Sequence, residues 1–141
     1  MRSAVWLRIA SVVAFAQFVA HTAMFLSAKA SHGPIEVAVV EAMKSHKFVF
    51  DGSPRSYWDL YFGYGLFAAF NCLVEAVLFW QLARIAKAGA THGRPIVALY
   101  CIANLGYALL VLRYFFIVPL VPDLVIAVCL ALAWRREVKV D

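Results

Sequence analysis

Glu75 lies inside a long apolar stretch, on a stripe it shares with Tyr57, Tyr61, Tyr64, Ala68 and Asn71. Steps of three and four residues put these on one narrow helical face. A carboxyl in hydrocarbon is costly unless it faces partners or water. The stripe should therefore point into a helix bundle, with Glu75 held there as the uncharged acid. A second stripe has the same spacing: Tyr100, Asn104, Tyr107, Val111 and Tyr114. A third sets Gln17 and His21 among Ala10, Ala14, Met24 and Ala28. Asp123 follows Pro122 near the start of the last apolar run. His21, Asp123 and Glu75 are the side chains able to move protons. The amides Gln17, Asn71 and Asn104 and the tyrosines Tyr61, Tyr64, Tyr100 and Tyr107 can line a pocket that is apolar in body and polar at its tips.

Depth along the helices pairs these groups. At about 1.5 Å of rise per residue, Gln17, Asn71 and Asn104 fall near the middle of their runs. His21, Tyr64, Tyr107 and Asp123 fall in one half, Glu75 and Tyr100 in the other. His21 and Glu75 are then about 15 Å apart in depth, too far for an acid–base pair. The expected pairs are His21 with Asp123, and Glu75 with Tyr100. An imidazole held by a carboxylate is a usable general base. The alternative is that these groups only join helices: interhelical hydrogen bonds between polar side chains also fix packing. Asp59 and Arg113 fall on the faces opposite the tyrosine stripes. They are expected at an interface, meeting headgroups or one another.

The elements that must position these residues are membrane spans. Of 141 residues 65% are hydrophobic and 15% charged, against about 45–50% and about 25% in soluble domains. A span needs about 20 residues, and four apolar runs are expected to be long enough to cross, near 4–28, 57–85, 95–116 and 120–135. One domain of four transmembrane helices follows, an all-α bundle. The first run has a basic start and an Ala28-Lys29-Ala30 cleavage-like end. It exceeds the about 7–15 apolar residues of a signal peptide, so a retained helix is expected.

Basic residues set the orientation. Arg2 and Arg8, then Arg84, Lys87 and Arg94, then Arg135, Arg136 and Lys139 share one side if the spans are four. That side is expected to be cytoplasmic, with both termini, and Trp6, Trp80 and Trp134 to mark its interface. Residues 29–56 form an outer loop. Ser31-His32-Gly33-Pro34 starts a short amphipathic helix ending near His46, Asp51-Gly52 is a turn, and Ser53-Pro54 caps the second span. The last span is expected to begin at Pro119 or Pro122. The net charge of +5 sits at span ends, which speaks against nucleic acid as a partner. Cys72, Cys101 and Cys129 form no CxxC pair and read as small core residues. Neither a metal nor a cofactor is expected, and His21 is the only histidine well inside a span.

Arg55-Ser56-Tyr57-Trp58-Asp59-Leu60-Tyr61-Phe62-Gly63-Tyr64-Gly65, with Arg113-Tyr114-Phe115-Phe116 downstream, resembles a family of short, uncharacterised bacterial four-helix membrane proteins. His21-Thr22 and Ala42-Met43 fit the same pattern. The resemblance implies a topology and a bacterial inner membrane, and carries no activity. In architecture alone the layout is similar to the sterol-isomerase and sigma-2-receptor group, which binds amphiphilic amines and sterols. The leading expectation is a membrane protein that binds a small lipophilic ligand, such as a lipid, isoprenoid or sterol-like molecule. One alternative is a membrane-embedded isomerase or hydrolase using His21, Asp123 or Glu75. Another is an accessory subunit whose polar layers only hold helices. Membrane lipids are expected partners, and a homodimer is compatible with the pattern.

Overall fold

The structure, a computed structural model, describes residues 2–30 and 32–135. Ser31, Arg136 and Lys139, used above for a helix start and for orientation, lie outside these residues. The elements are α1 (Arg2–Ser27), α2 (Pro34–Ser45), β1 (Lys47–Phe50), β2 (Ser53–Ser56), α3 (Tyr57–Lys87), α4 (Arg94–Tyr114) and α5 (Leu120–Arg135). Three helices, α1, α3 and α4, are long and apolar enough to cross a membrane. α5 has 16 residues, about 24 Å of helix, against a hydrocarbon core of about 30 Å. The expected four-helix bundle is thus met only in part. The chain is mostly helical, with three helices of spanning length, and it adds a two-stranded sheet that the sequence reading did not contain.

The chain divides into two compact units, residues 1–18 with 72–141, and residues 19–71. The first unit holds the apolar core. Leu7, Phe79, Ile126 and Leu130 are fully buried there, among Ala10, Ala14, Ala76 and Ala83. Small side chains let helix backbones approach closely, which is how helices associate in lipid. Ser11 Oγ donates to the Ala76 carbonyl at 2.7 Å, tying α1 to α3. α3 ends in a Schellman motif: Ala90 N–H reaches the Ile85 carbonyl and Gly89 N–H the Ala86 carbonyl. Gly89 has φ 79°, a conformation glycine adopts at no steric cost. Pro95 and Pro122 each sit in the first turn of a helix, where a missing N–H breaks no helical bond.

The second unit is built around a β-hairpin. β1 and β2 pair antiparallel, with Phe50 opposite Ser53. Asp51 and Gly52 both have positive φ, 48° and 74°, as a type I′ hairpin turn requires. The expected turn is therefore present, and the expected short helix is α2. The expected cap is not at Ser53-Pro54, since both lie within β2. Ser56 caps α3 instead. Asp59 N–H donates to Ser56 Oγ at 3.1 Å, and Ser56 N–H donates to Asp59 Oδ2 at 2.8 Å. This reciprocal capping box satisfies two donors that a helix start would otherwise leave open. His46 and Phe48 pack on Tyr57, and the Lys44 ammonium lies 5.1 Å from the Trp58 ring centroid. α2 and the hairpin are thus fastened to the first turn of α3.

Candidate functional site

Each helix of the first unit contributes one polar side chain to a layer within the apolar core. Gln17 comes from α1, Glu75 from α3, Asn104 from α4 and Asp123 from α5. Glu75, Asn104 and Asp123 are 4%, 0% and 5% exposed. Gln17 Nε2 donates to Asp123 Oδ1 at 2.9 Å. Asn104 Nδ2 donates to the Tyr100 carbonyl at 3.0 Å, the acceptor one turn back on its own helix. Glu75 lies next to the Asn104 side chain. Glu75 Oε1 and Asn104 Oδ1 are both buried with no hydrogen-bond partner among the described residues. Two acceptors in the driest part of the unit therefore lack a donor. Such groups are rare and costly in folded proteins.

The pairings differ from those expected by depth. Glu75 meets Asn104 rather than Tyr100, whose ring stands edge-on to Phe79 with centroids 5.6 Å apart. α3 and α4 run antiparallel, and the two pairs are the same register one turn apart. The depth arithmetic placed Asn104 about 6 Å too far toward the other end, one helical turn. Asp123 takes Gln17 as its partner, not His21.

His21 belongs to the second unit, where its Nε2 lies 3.1 Å from the Gly65 carbonyl. A carbonyl only accepts, so Nε2 carries the hydrogen and donates. The His21 ring stacks on Phe25 at 9° between planes. Phe25 in turn packs on Tyr61 and Phe62 and lies against Gly65 so closely that a Cβ there would overlap its ring. His21 is thus part of a helix contact that needs a glycine. Among the described residues no carboxylate is hydrogen-bonded to it, so the general-base arrangement drawn from the sequence lacks its second member.

Of the remaining expected residues, Tyr61 packs on Phe25 beside His21, and the others are placed outside these clusters. Tyr61, Tyr64 and Tyr107 are 51%, 74% and 38% exposed. Asn71 is half-buried and makes no hydrogen bond among the described residues. Arg113 lies 5.3 Å from the ring centroid of its neighbour Tyr114, and Asp59 is taken up by the cap of α3. Among the described residues no group of three His, Cys, Asp or Glu side chains is placed to hold a metal.

The chain matches no protein-family model, no curated protein and no solved structure. Two features of the clusters escaped the sequence reading. Ser56-x-x-Asp59 ahead of an apolar run is a capping signature that was legible. Ser11 sits one helical position after Ala10 and had no signal of its own.

A small, partly open pocket lined by Leu7, Leu82, Ile85, Ala86, Ala90, Gly93 and Val97 has a volume of about 10 Å³, no more than one water needs. An open groove of about 570 Å³ is lined by Arg8, Trp80, Arg84, Lys87 and Ala88.

Proposed function

We propose that this chain is an integral membrane protein of the bacterial inner membrane type, crossing four times with both termini cytoplasmic. In this reading the layer of Gln17, Glu75, Asn104 and Asp123 receives the polar end of a small lipophilic molecule. One observation carries the reading: Glu75 Oε1 and Asn104 Oδ1 are buried acceptors that lack a donor. A ligand hydroxyl or ammonium supplies one, and its apolar body lies among the helices. The ligand is thus a donor-headed amphiphile, not a fatty acid or another anion.

A second reading has its own support. Asp123 is already paired with Gln17. A neutral Glu75 could give its own proton to Asn104 Oδ1 and close the layer without a ligand. The protein is then a structural subunit whose polar layer sets helix register.

Native mass spectrometry of the protein extracted with its lipids separates the two. A co-purified amphiphile retained by the native chain and lost from Glu75→Gln supports ligand binding. Gln offers a donor of its own and removes the acid. A chain that carries no such adduct, and whose Gln variant is equally stable, leaves the structural subunit.

A further inference from the structure

The groove lined by Arg8, Trp80, Arg84 and Lys87 belongs to neither reading. Three cations from two helices, α1 and α3, surround it. Among the described residues no acid neutralises them. The described acids of the first unit are Glu75 and Asp123 alone. Glu75 precedes Arg84 by nine residues, about 13 Å along α3. Arg84 Nη1 donates to the neutral Gln81 Oε1 at 3.3 Å, which leaves the other donors of that guanidinium for a ligand. The Arg8 guanidinium lies 5.5 Å from the Trp80 ring centroid. That cation–π contact holds the charge at the groove wall and leaves its N–H edge open. Cations in the last turn of α3 complement its dipole, which accounts for Arg84 and Lys87. It does not account for Arg8, which comes from another helix. Trp80 is half exposed, and indole rings favour the headgroup level of a bilayer.

We propose that this groove binds the phosphate of an anionic phospholipid headgroup, with Arg8, Arg84 and Lys87 as ligands and Trp80 as the wall beside the first acyl carbons. Arg offers a fork of donors to phosphate oxygens, and Lys a point charge. A free phosphate ion shares the headgroup chemistry. It lacks the glycerol and chains that would lie along Trp80 and the apolar faces of α1 and α3. The inference rests on the membrane reading and is independent of the ligand at Glu75.

The test uses the full chain in phosphatidylcholine nanodiscs with a rising share of phosphatidylglycerol, with retained lipid counted by native mass spectrometry. Incorporation into pure phosphatidylcholine checks the membrane reading by itself. The native chain should retain phosphatidylglycerol in preference to phosphatidylcholine. Arg8→Gln, Arg84→Gln and Lys87→Gln should each weaken retention about fivefold, and the triple variant on the order of a hundredfold. Lys47→Gln, on the hairpin, should change nothing. Should the triple variant fail to fold, the single variants and the native chain in about 0.5 M salt decide, because screening must erase the preference. Equal retention of both lipids overturns the proposal. So does unchanged retention in the variants or in salt. Inorganic phosphate that binds as tightly as the lipid overturns it in favour of a soluble anion.

Discussion

Gln17 and Asp123 show what a polar pair contributes between apolar helices. Their 2.9 Å hydrogen bond joins α1 to α5 across 106 residues of chain. Interhelical hydrogen bonds in membranes average about 0.6 kcal/mol and reach about 1.7 kcal/mol. Gln17→Leu and Asp123→Leu should couple by an amount in that range in a double-mutant cycle read by unfolding in detergent. Additive effects would mean the pair does not form. Glu75 answers to a different rule. Its neighbour Asn104 is fully buried, so removing the carboxyl leaves the Asn104 Oδ1, which has no hydrogen-bond partner among the described residues, in apolar surroundings. Glu75→Leu should cost about 1–3 kcal/mol, whereas Glu75→Gln, with nearly the same shape, should cost much less. Equal losses from both would show that Asn104 is not the group Glu75 serves. The residues of this layer were all legible as types and faces. The one-turn register between α3 and α4 was not, because it is set by how Phe79 and the alanines pack and not by residue counting.

Among the elements, the contact of α1 with α3 in the second unit turns on Gly65. Phe25 covers it, and His21 donates to its carbonyl. A methyl at residue 65 would overlap the Phe25 ring, so the ring must leave or the helices must part. Gly65→Ala should destabilise by about 1–3 kcal/mol, and Phe25→Ala in the same chain should recover part of the loss. No recovery would show that the glycine serves a purpose other than clearance. The start of α3 is a separate element-scale device. Ser56→Ala should cost about 1 kcal/mol and raise amide exchange in the first turn of α3, with Tyr57 to Leu60 the residues to follow. The hairpin explains why Ser53-Pro54 misled. Serine before proline reads as a helix start, yet the type I′ turn at Asp51-Gly52 commits the next residues to a strand. A proline fits in a two-stranded ribbon, where both strands are edges. The alternation in Lys47 to Phe50 is too short to distinguish from loop by pattern alone.

For the whole molecule the open quantity is the number of crossings, and α5 decides it. By length it falls short: 16 residues make about 24 Å against about 30 Å of hydrocarbon. Its composition and packing nonetheless suit a span. It runs along α4, buries Ile126, Cys129, Leu130 and Ala133, and ends at Trp134, with Arg94 5.6 Å from that ring centroid. A short span costs only fractions of a kcal/mol per Å of mismatch, met by local thinning. Its buried Asp123 is also already satisfied by Gln17. Four crossings put the basic ends Arg8, Arg84, Arg94 and Arg135 on one side, as cytoplasmic loops require, whereas three would send Arg135 across with no compensating acid among the described residues nearby. Ser45→Cys should therefore be labelled by an impermeant thiol reagent from outside intact cells, with the native cysteines replaced, and Ala90→Cys should not. A reporter after the carboxyl terminus should be shielded along with Ala90. A shielded Ala90 with an exposed carboxyl terminus would leave α5 on the membrane surface. That outcome reduces the crossings to three and removes Asp123 from the bilayer interior, and with it the reason to regard the four-sided polar layer as a membrane-embedded site.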